Sequence, residues 1–446
     1  MQDKEQDQQV VDFAFSTGNP HIIKVIGVGG GGGNAVNHMY QTGIHDVSFV
    51  VCNTDAQALA DSPVQVKVQL GSEGLGAGNV PERARHAAEE SIESIDKMLS
   101  DGTKMVFITA GMGGGTGTGA APIIAHEAKS KNILTIGIVT IPFQFEGNKK
   151  IDQALDGVEA ISKNVDALLV VNNEKLREIY PGLTISDAFG RADDTLTLAA
   201  RSIAEIITTH GKINLDFNDV CTVLRNGGVA IMSTGTGEGE YRVKGAIDDA
   251  LNSPLLNNND IFDAKKVLLY IYCSDKPEDT ITMEEMNEVH DFMSKFGRDF
   301  EVKWGIAFDS SLGKQVKVTV LASGFGLANV PYMEDHLNRN ADESERAAQA
   351  AEEEEKRADR RRKFGYSDNN RAGSVRRPRH IFRFNDNDID NDNIISMVEQ
   401  TPTVNRTSTQ LRRIYEMNYN NSEIAAAKED SSVEKDSGTI NFTTGG

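Results

Sequence analysis

The segment Ala110–Pro122 carries the clearest chemical signal in the chain. It reads A-G-M-G-G-G-T-G-T-G-A-A-P, and its residue types place Thr116 and Thr118 between glycines. It follows an apolar run predicted as a strand, Lys104–Thr109, and precedes a predicted helix, Ala120–Ser130. Glycines let a ligand approach the backbone N–H groups, and the start of a helix attracts anions. The pattern predicts a cradle for a di- or triphosphate, because a flexible linker seldom lies between a strand and a helix.

A second glycine box, Gly27–Asn34, lies near the start of the chain. It follows the predicted strand Ile22–Val28, precedes the predicted helix Ala35–Tyr40 and satisfies G-x-G-x-x-G. That pattern alone is a weak signal for dinucleotide binding. The Walker pattern is missing, because neither Gly211-Lys212 nor Gly313-Lys314 is followed by Ser or Thr. The two boxes together indicate a phosphate binder other than a P-loop protein.

The elements that must position these boxes alternate between strands and helices. Near-continuous apolar runs are typical of parallel strands covered on both faces, so the first half predicts a doubly wound α/β domain. Ligands of such folds lie beyond the carboxyl ends of the strands, and the two boxes should therefore converge on one crevice. The predicted strands are Ile22–Val28, Val47–Asn53, Lys104–Ala110, Leu134–Ile141 and Ala167–Asn172, with helices that include Pro81–Leu99, Lys149–Asn164 and Arg191–His210.

Five motifs in a fixed order make the chain resemble the tubulin/FtsZ family, whose bacterial members are division GTPases. The resemblance covers about residues 18 to 330. It rests on the first glycine box, Asn53-Thr54-Asp55, the signature G-G-G-T-G-T-G at Gly113–Gly119, Phe145-Glu146-Gly147, and Asn214–Val220.

The resemblance implies a tubulin-like α/β architecture. A Rossmann-type nucleotide-binding domain is joined by a central helix to a smaller α+β domain, and a disordered C-terminal tail follows. The implied boundaries are 1–20 for a disordered arm, 21–190 for the GTP-binding domain, 191–211 for the central helix, 212–220 for a catalytic loop, 221–330 for the α+β domain, and 331–446 for a charged linker and partner-binding tail.

Patterning within the α+β domain predicts four strands and a helix. The predicted helix Thr282–Phe296 carries methionines on one stripe, which is more often core than a cofactor site. The predicted strands are Val229–Ser233, Val267–Cys273, Val302–Phe308 and Val316–Ala322.

The resemblance also implies which residues contact GTP or GDP. One set would line the α- and β-phosphates, a second would wrap the β- and γ-phosphates, and the loop after the second strand would close over the γ-phosphate. Mg²⁺ would be held mainly by phosphates and water. In that order the sets are Gly30, Gly31, Gly32, Gly33 and Asn34; Gly114, Gly115, Thr116 and Gly117; and Asn53, Thr54 and Asp55.

Four further residues are expected to hold the nucleoside. Glu146 would accept hydrogen bonds from the ribose hydroxyls, and Lys150 stands where the family usually has Arg. Phe189 and Asp193 are four residues apart on a predicted helix, so they share a face. A stacked ring and a carboxylate would select guanine. The alternative for this pair is a core Phe and an acid near a helix start.

Asp216 and Asp219, with Asn214 in the same loop, are the candidates for hydrolysis. Paired carboxylates can polarise an attacking water and help to order Mg²⁺. They follow a helix roughly 30 Å long, at 1.5 Å per residue, and so cannot reach a nucleotide held at its other end. A head-to-tail neighbour could supply them, and such a contact builds an open filament. The alternative is that both acids only cap a turn.

The resemblance implies that the tail binds membrane tethers and regulatory division proteins. Its polar composition after about residue 364 predicts disorder, with short apolar islands such as Ile381–Phe384. Two segments are candidate docking peptides, Glu399–Arg406 and Leu411–Ile414.

Composition narrows the range of functions. The net charge of −20 argues against nucleic-acid binding, which depends on Lys and Arg. No stretch predicts a signal peptide or direct membrane insertion, so we expect a cytoplasmic protein. The resemblance implies that it assembles with itself at the division site. Cys52, Cys221 and Cys273 are far apart and predict reduced thiols, and no His/Cys spacing predicts a metal site.

Two alternatives to a polymerising GTPase stay open from the sequence. A nicotinamide dehydrogenase would explain G-x-G-x-x-G and an acid near Asp55, but not Gly113–Gly119. A non-catalytic scaffold would bind nucleotide only to fold, and the presence of Asp216 and Asp219 argues against it.

Overall fold

A computed structural model describes residues 21–180, 182–209, 211–252, 261–296, 300–342, 346, 353, 355–357, 381–384, 392–403 and 406–416. These residues belong to two compact units, one ending at Glu345 and one beginning at Arg346. The predicted arm at residues 1–20 lies outside the described residues.

The first unit is built on one sheet of eleven strands, in the order β3-β2-β1-β4-β5-β6-β8-β11-β9-β10-β7. The six strands β1 to β6 are parallel, and β6 joins β8 through only two residue pairs, Ala167 with Gly228 and Leu168 with Val229. The strands are β1 (Ile23–Val28), β2 (Val47–Asn53), β3 (Val66–Gln69), β4 (Met105–Gly111), β5 (Leu134–Ile141), β6 (Ala167–Asn172), β7 (Gly211–Ile213), β8 (Gly228–Gly237), β9 (Lys266–Cys273), β10 (Glu301–Phe308) and β11 (Val316–Phe325).

Helices connect most of these strands. They are α1 (Gly29–Thr42), α2 (Ala56–Asp61), α3 (Pro81–Glu90), α4 (Ile92–Leu99), α5 (Thr116–Ser130), α6 (Asn148–Ser162), α7 (Asn173–Ile179), α8 (Ile185–Thr208), α9 (Phe217–Leu224), α10 (Arg242–Leu251), α11 (Met286–Met293) and α12 (333–342).

Two hydrophobic clusters cover opposite faces of the sheet. One cluster includes Ile108, Ala121 and Ile161, and the other includes Phe107 and Ile203. Both clusters continue into strands β8 to β11. Because each central strand contributes side chains to both clusters, its sequence is apolar throughout. The predicted doubly wound architecture is therefore confirmed.

Both glycine boxes are partly helical, which differs from the prediction. Helix α1 begins at Gly29 instead of Ala35, and α5 begins at Thr116 instead of Ala120. Glycine lowers helix propensity, so patterning placed both starts too late. The helices nevertheless form there, since their first turns pack closely on neighbouring backbone.

The central helix α8 also begins earlier than predicted. It starts at Ile185, where the Thr184 side chain accepts a hydrogen bond from Asp187 N, and it ends at Thr208. Gly211, the last residue of the segment 191–211 implied for the central helix, opens the short strand β7. The predicted helix Pro81–Leu99 is interrupted at Ser91, and the predicted helix Thr282–Phe296 is α-helical only over α11.

The second unit contains two helices within the segment predicted as disordered. They are α13 (Asp392–Gln400) and α14 (Ser408–Glu416). Phe382, Ile394 and Ile414 are buried together between these elements. The apolar islands of this segment therefore pack on one another.

Candidate nucleotide-binding and catalytic sites

The two glycine boxes lie against each other at the carboxyl ends of β1 and β4. A Cβ atom on Gly29 would lie 2.8 Å from the Gly117 nitrogen, and one on Gly31 would lie 3.2 Å from the Gly111 Cα. Such a close approach requires glycine at these positions. The two boxes therefore converge, as predicted, and Asn34 is exposed on α1 beside them.

The predicted phosphate-binding glycines are of two kinds. A Cβ on Gly32 would lie 2.2 Å from the Thr109 oxygen, and one on Gly117 would meet the Gly111 oxygen at 2.5 Å, so these glycines permit packing. A Cβ on Gly30, Gly33 or Gly114 would meet no atom within 4 Å. These three positions line open space, where a ligand could approach the backbone.

The loop after β2 is fastened to the second box. The hydroxyl oxygens of Thr54 and Thr116 are 2.7 Å apart and buried. Asp55 caps α2 by accepting hydrogen bonds from the backbone of Gln57 and Ala58 at 2.9 and 3.2 Å, and Asn53 Oδ1 accepts from Asp55 N at 3.3 Å. The loop therefore has a fixed shape next to the crevice.

Glu146 and Lys150 form an ion pair at the start of α6. Glu146 Oε1 accepts from Phe143 N at 2.9 Å, and Oε2 accepts from Lys150 Nζ at 2.5 Å. An ionised carboxylate has further lone pairs for hydroxyl donors. The pair is thus compatible with the predicted ribose contact.

Phe189 and Asp193 lie on the same face of α8. The Phe189 ring is 41% exposed and contacts the Phe143 ring edge-on, with centroids 5.2 Å apart. Burial raises the pKa of Asp193 to about 6, an effect that His38 opposes and Asp194 adds to. The exposed ring can stack on a base, and the partly desolvated carboxylate beside it can accept hydrogen bonds from the N–H groups of that base.

Helix α8 separates these residues from the acidic loop. It has 24 residues and, at 1.5 Å per residue, is about 36 Å long. Phe189 and Asp193 lie in its first turns, whereas Asn214, Asp216 and Asp219 follow its end. The structure does not bring the two groups of candidates together within the chain.

Asp216 and Asp219 form a reciprocal cap at the start of α9. Asp216 Oδ1 accepts from Asp219 N at 2.9 Å, and Asp219 Oδ2 accepts from Asp216 N at 3.1 Å. Burial alone would raise the pKa of Asp219, but the Asp216 backbone bond and Lys303, 3.2 Å away, outweigh it and lower the pKa. Asn214 Oδ1 accepts from Gly211 N at 2.5 Å. The acids therefore do cap a turn, and Asp216 is exposed as well.

Sequence reasoning missed two contacts of these sites. Lys303 comes from β10 and reaches Asp219 only through the sheet, so no local pattern marks it. Gln153 lies one turn after Lys150 on α6, and its side chain donates to the second glycine box. Lys150 and Gln153 are three residues apart and so share a face of the predicted helix, and this spacing could have identified Gln153 as a residue near the site.

Neither a membrane-spanning helix nor a cluster of metal-ligating side chains occurs in the described ranges. None of the helices described there is both long and apolar enough to cross a membrane. No group of three or more His, Cys, Asp or Glu side chains that could hold a metal ion occurs among those residues. The three cysteines are free thiols, as predicted.

The doubly wound sheet and the paired glycine boxes define the class of nucleotide-binding α/β proteins. Comparison with known proteins narrows this class. Residues 22–181 match the Tubulin/FtsZ family, GTPase domain, residues 228–326 match the FtsZ family, C-terminal domain, and residues 376–421 match FtsZ, C-terminal. The chain belongs to the tubulin/FtsZ family and carries its GTPase domain.

Individual relatives agree with this assignment. Cell division protein FtsZ of Porphyromonas gingivalis is 49% identical over 92% of this chain and 90% of its own length, and FtsZ of Azotobacter vinelandii is 45% identical over 68% and 77%. Among solved structures, an empty FtsZ dimer from M. jannaschii is 38% identical, with a TM-score of 0.62 over 69% of this chain and 89% of that one. A nicotinamide dehydrogenase is therefore not favoured.

Proposed function

We propose that this chain is a self-assembling GTPase of bacterial cell division, in which the acidic loop of one subunit completes the active site of the next. The observation that carries the proposal is the position of the two candidate groups at opposite ends of α8, a helix about 36 Å long. A single chain cannot join them, whereas a head-to-tail neighbour can.

The proposed contact uses different surfaces on the two subunits. Such a contact does not close on itself and generates a filament. The related FtsZ from M. jannaschii is described as a dimer, and a structure with the same fold, CetZ2 from Haloferax volcanii, is described as a GTPγS-bound protofilament. Both descriptions favour self-association of this chain.

In the proposed complex the glycine boxes and helix starts bind the phosphates of GTP or GDP. Glu146 accepts from the ribose, while Phe189 stacks on guanine and Asp193 accepts from its N–H groups. From the adjacent subunit, Asp216 and Asp219 orient the attacking water. These acids also offer oxygen ligands of the type that Mg²⁺ prefers, and phosphates and water supply the remainder.

The tail is proposed to bind membrane tethers and regulators at a cytoplasmic ring at midcell. The match of residues 376–421 to a C-terminal FtsZ segment supports a role of this segment in partner binding. Arg406 donates to Thr401 O at 2.8 Å, and Ile414 is buried in the second unit. Each candidate peptide thus contributes a side chain to the packing of α13 and α14, and a partner binding Arg406 or Ile414 would have to open this packing.

The experiment measures light scattering and phosphate release after GTP, ATP or NAD is added. We expect both signals with GTP alone. Asp219→Ala should bind GTP yet turn over slowly, and Gly114→Asp should bind poorly, because its carboxylate would project into the open space that Gly114 lines. A mixture of the two variants should recover part of the turnover. At some contacts between subunits, the intact nucleotide site of Asp219→Ala meets the intact acidic loop of Gly114→Asp.

Each contrary result has a distinct meaning. Scattering without phosphate release would favour the non-catalytic scaffold. Full turnover by a subunit kept monomeric, or no recovery in the mixture, would refute a site shared between subunits.

A further inference from the structure

Gln153, on α6, holds the backbone of the second glycine box. Its Nε2 donates to the Gly113 oxygen at 3.1 Å and to the Gly114 oxygen at 3.0 Å, and it lies 3.5 Å from the Asn79 oxygen. All three partners are carbonyl acceptors, so only the NH₂ side of the amide can face them. One side chain thereby fixes the direction of two successive carbonyl groups.

The direction of these carbonyls sets the direction of the adjacent N–H groups. In a trans peptide unit the N–H points away from the C=O. With the Gly113 and Gly114 carbonyls turned toward α6, the N–H groups of Gly114 and Gly115 point away from α6. The Cβ direction of Gly114 is open, with no atom within 4 Å.

Two successive N–H groups on one side form a concavity that binds anions. The first turn of α5 follows directly and adds N–H groups that lack helical acceptors. Gly113 begins this arrangement with φ of +89°, and its own N–H is turned inward to Thr118 Oγ1 at 2.9 Å. Gly114 is therefore the first residue of this arrangement whose N–H group can face a ligand.

We propose that Gln153 is a positioning residue for phosphate binding. It holds two carbonyl groups so that the N–H groups of Gly114 and Gly115 face the β- and γ-phosphates of the nucleotide. The inference rests on the proposed function, because it requires a nucleotide at this box.

The Asn79 contact extends the role of Gln153 to a second loop. A Cβ on Gly115 would lie 2.8 Å from Ala77 Cβ and 3.2 Å from Asn79 Cα, so the loop before α3 packs directly on the box. Gln153 thus links both loops to α6, the helix whose Lys150 pairs with Glu146. Loss of its amide should loosen the phosphate side of the site and leave the base side intact.

The test compares Gln153→Leu with Gln41→Leu, an exposed glutamine in the last turn of α1. Equilibrium affinities for GTP, GDP and guanosine and the melting temperature are measured for the full chain. We expect Gln153→Leu to weaken GTP and GDP binding about tenfold, the scale of one hydrogen bond, with unchanged guanosine affinity. Gln41→Leu should change none of the three affinities.

Gln153→Glu is the second variant, because it keeps the side-chain shape and lacks a donor when ionised. It should weaken GTP and GDP binding at least as much. Unchanged GTP affinity in both variants would overturn the inference, and so would equal weakening of all three ligands together with a lower melting temperature. Failure of the unaltered chain to bind GTP would instead refute the proposed function.

Discussion

At the scale of single residues, Gly32 and Gly33 look alike in the sequence but differ in the structure. A Cβ on Gly32 would lie 2.2 Å from the Thr109 backbone oxygen, whereas one on Gly33 would meet nothing within 4 Å. Gly32→Ala should therefore destabilise the ligand-free protein by about 1–3 kcal/mol, because α1 must move away from β4.

Gly33→Ala is the matched control for this prediction. Since alanine favours a helix over glycine by up to about 1 kcal/mol, this variant should be as stable as the original chain or slightly more so. Denaturant unfolding without nucleotide measures both effects. Equal destabilisation by the two substitutions would contradict the packing difference.

Asp193 should make guanine binding dependent on pH. Burial raises its pKa to about 6 in the folded chain, and a raised carboxyl pKa means that protonation favours the folded state as pH falls. In the proposed site, guanine binding requires the ionised carboxylate of Asp193. Guanosine affinity should therefore be constant above about pH 7 and fall by up to about tenfold per pH unit below about pH 6.

Guanosine is the appropriate probe, because the phosphates of GTP titrate in the same range. His38, which lies 2.9 Å from Asp194, opposes the rise in the Asp193 pKa that burial causes. The variant His38→Gln therefore measures the contribution of His38 to this pKa. Asp193→Asn should bind weakly and without this pH dependence. An unchanged pH profile in that variant would exclude Asp193 as the titrating group.

At the scale of elements, the sequence predicted five of the six strands β1 to β6 to within about one residue, because their apolar runs are continuous. It missed β3, which has four residues, β7, which has three, and α10, whose residues Arg242–Leu251 are mixed in polarity. Strand β7 depends on β10, a partner far away in the chain. The same holds for the contact of Lys303 with Asp219, whereas the glycine boxes carry their own local signal.

The α9 cap separates two roles of Asp216. Its carboxylate accepts from Asp219 N at 2.9 Å, a contact that asparagine can also make. Asp216→Ala should lose about 1 kcal/mol of folding free energy and slow GTP turnover. Asp216→Asn should keep the stability and still slow turnover, because it lacks the charge.

Denaturant unfolding and phosphate release on both variants test this separation. If Asp216→Asn turned over GTP at the original rate, the acid would serve only as a cap. Turnover that fell in proportion to stability would lead to the same conclusion.

At the scale of the whole molecule, the charged segment after residue 330 begins as part of the folded first unit. Met333 is fully buried, and His336 Nε2 lies 3.1 Å from Asp156 Oδ1 on α6. Arg339 pairs with Asp152 at 3.2 Å. Helix α12 therefore covers α6, the helix that also carries Lys150 and Gln153.

Two shortened chains measure what α12 contributes. A chain ending at Asp342 keeps Met333 and His336, whereas a chain ending at Val330 loses both. Removing a buried methionine side chain costs about 2–5 kcal/mol, so the shorter chain should melt at least about 3 °C lower. Calorimetry with saturating GDP gives the comparison, and Met333→Ala in the full chain should reproduce most of the loss. Identical melting of the two shortened chains would show that α12 adds nothing to the stability of the first unit.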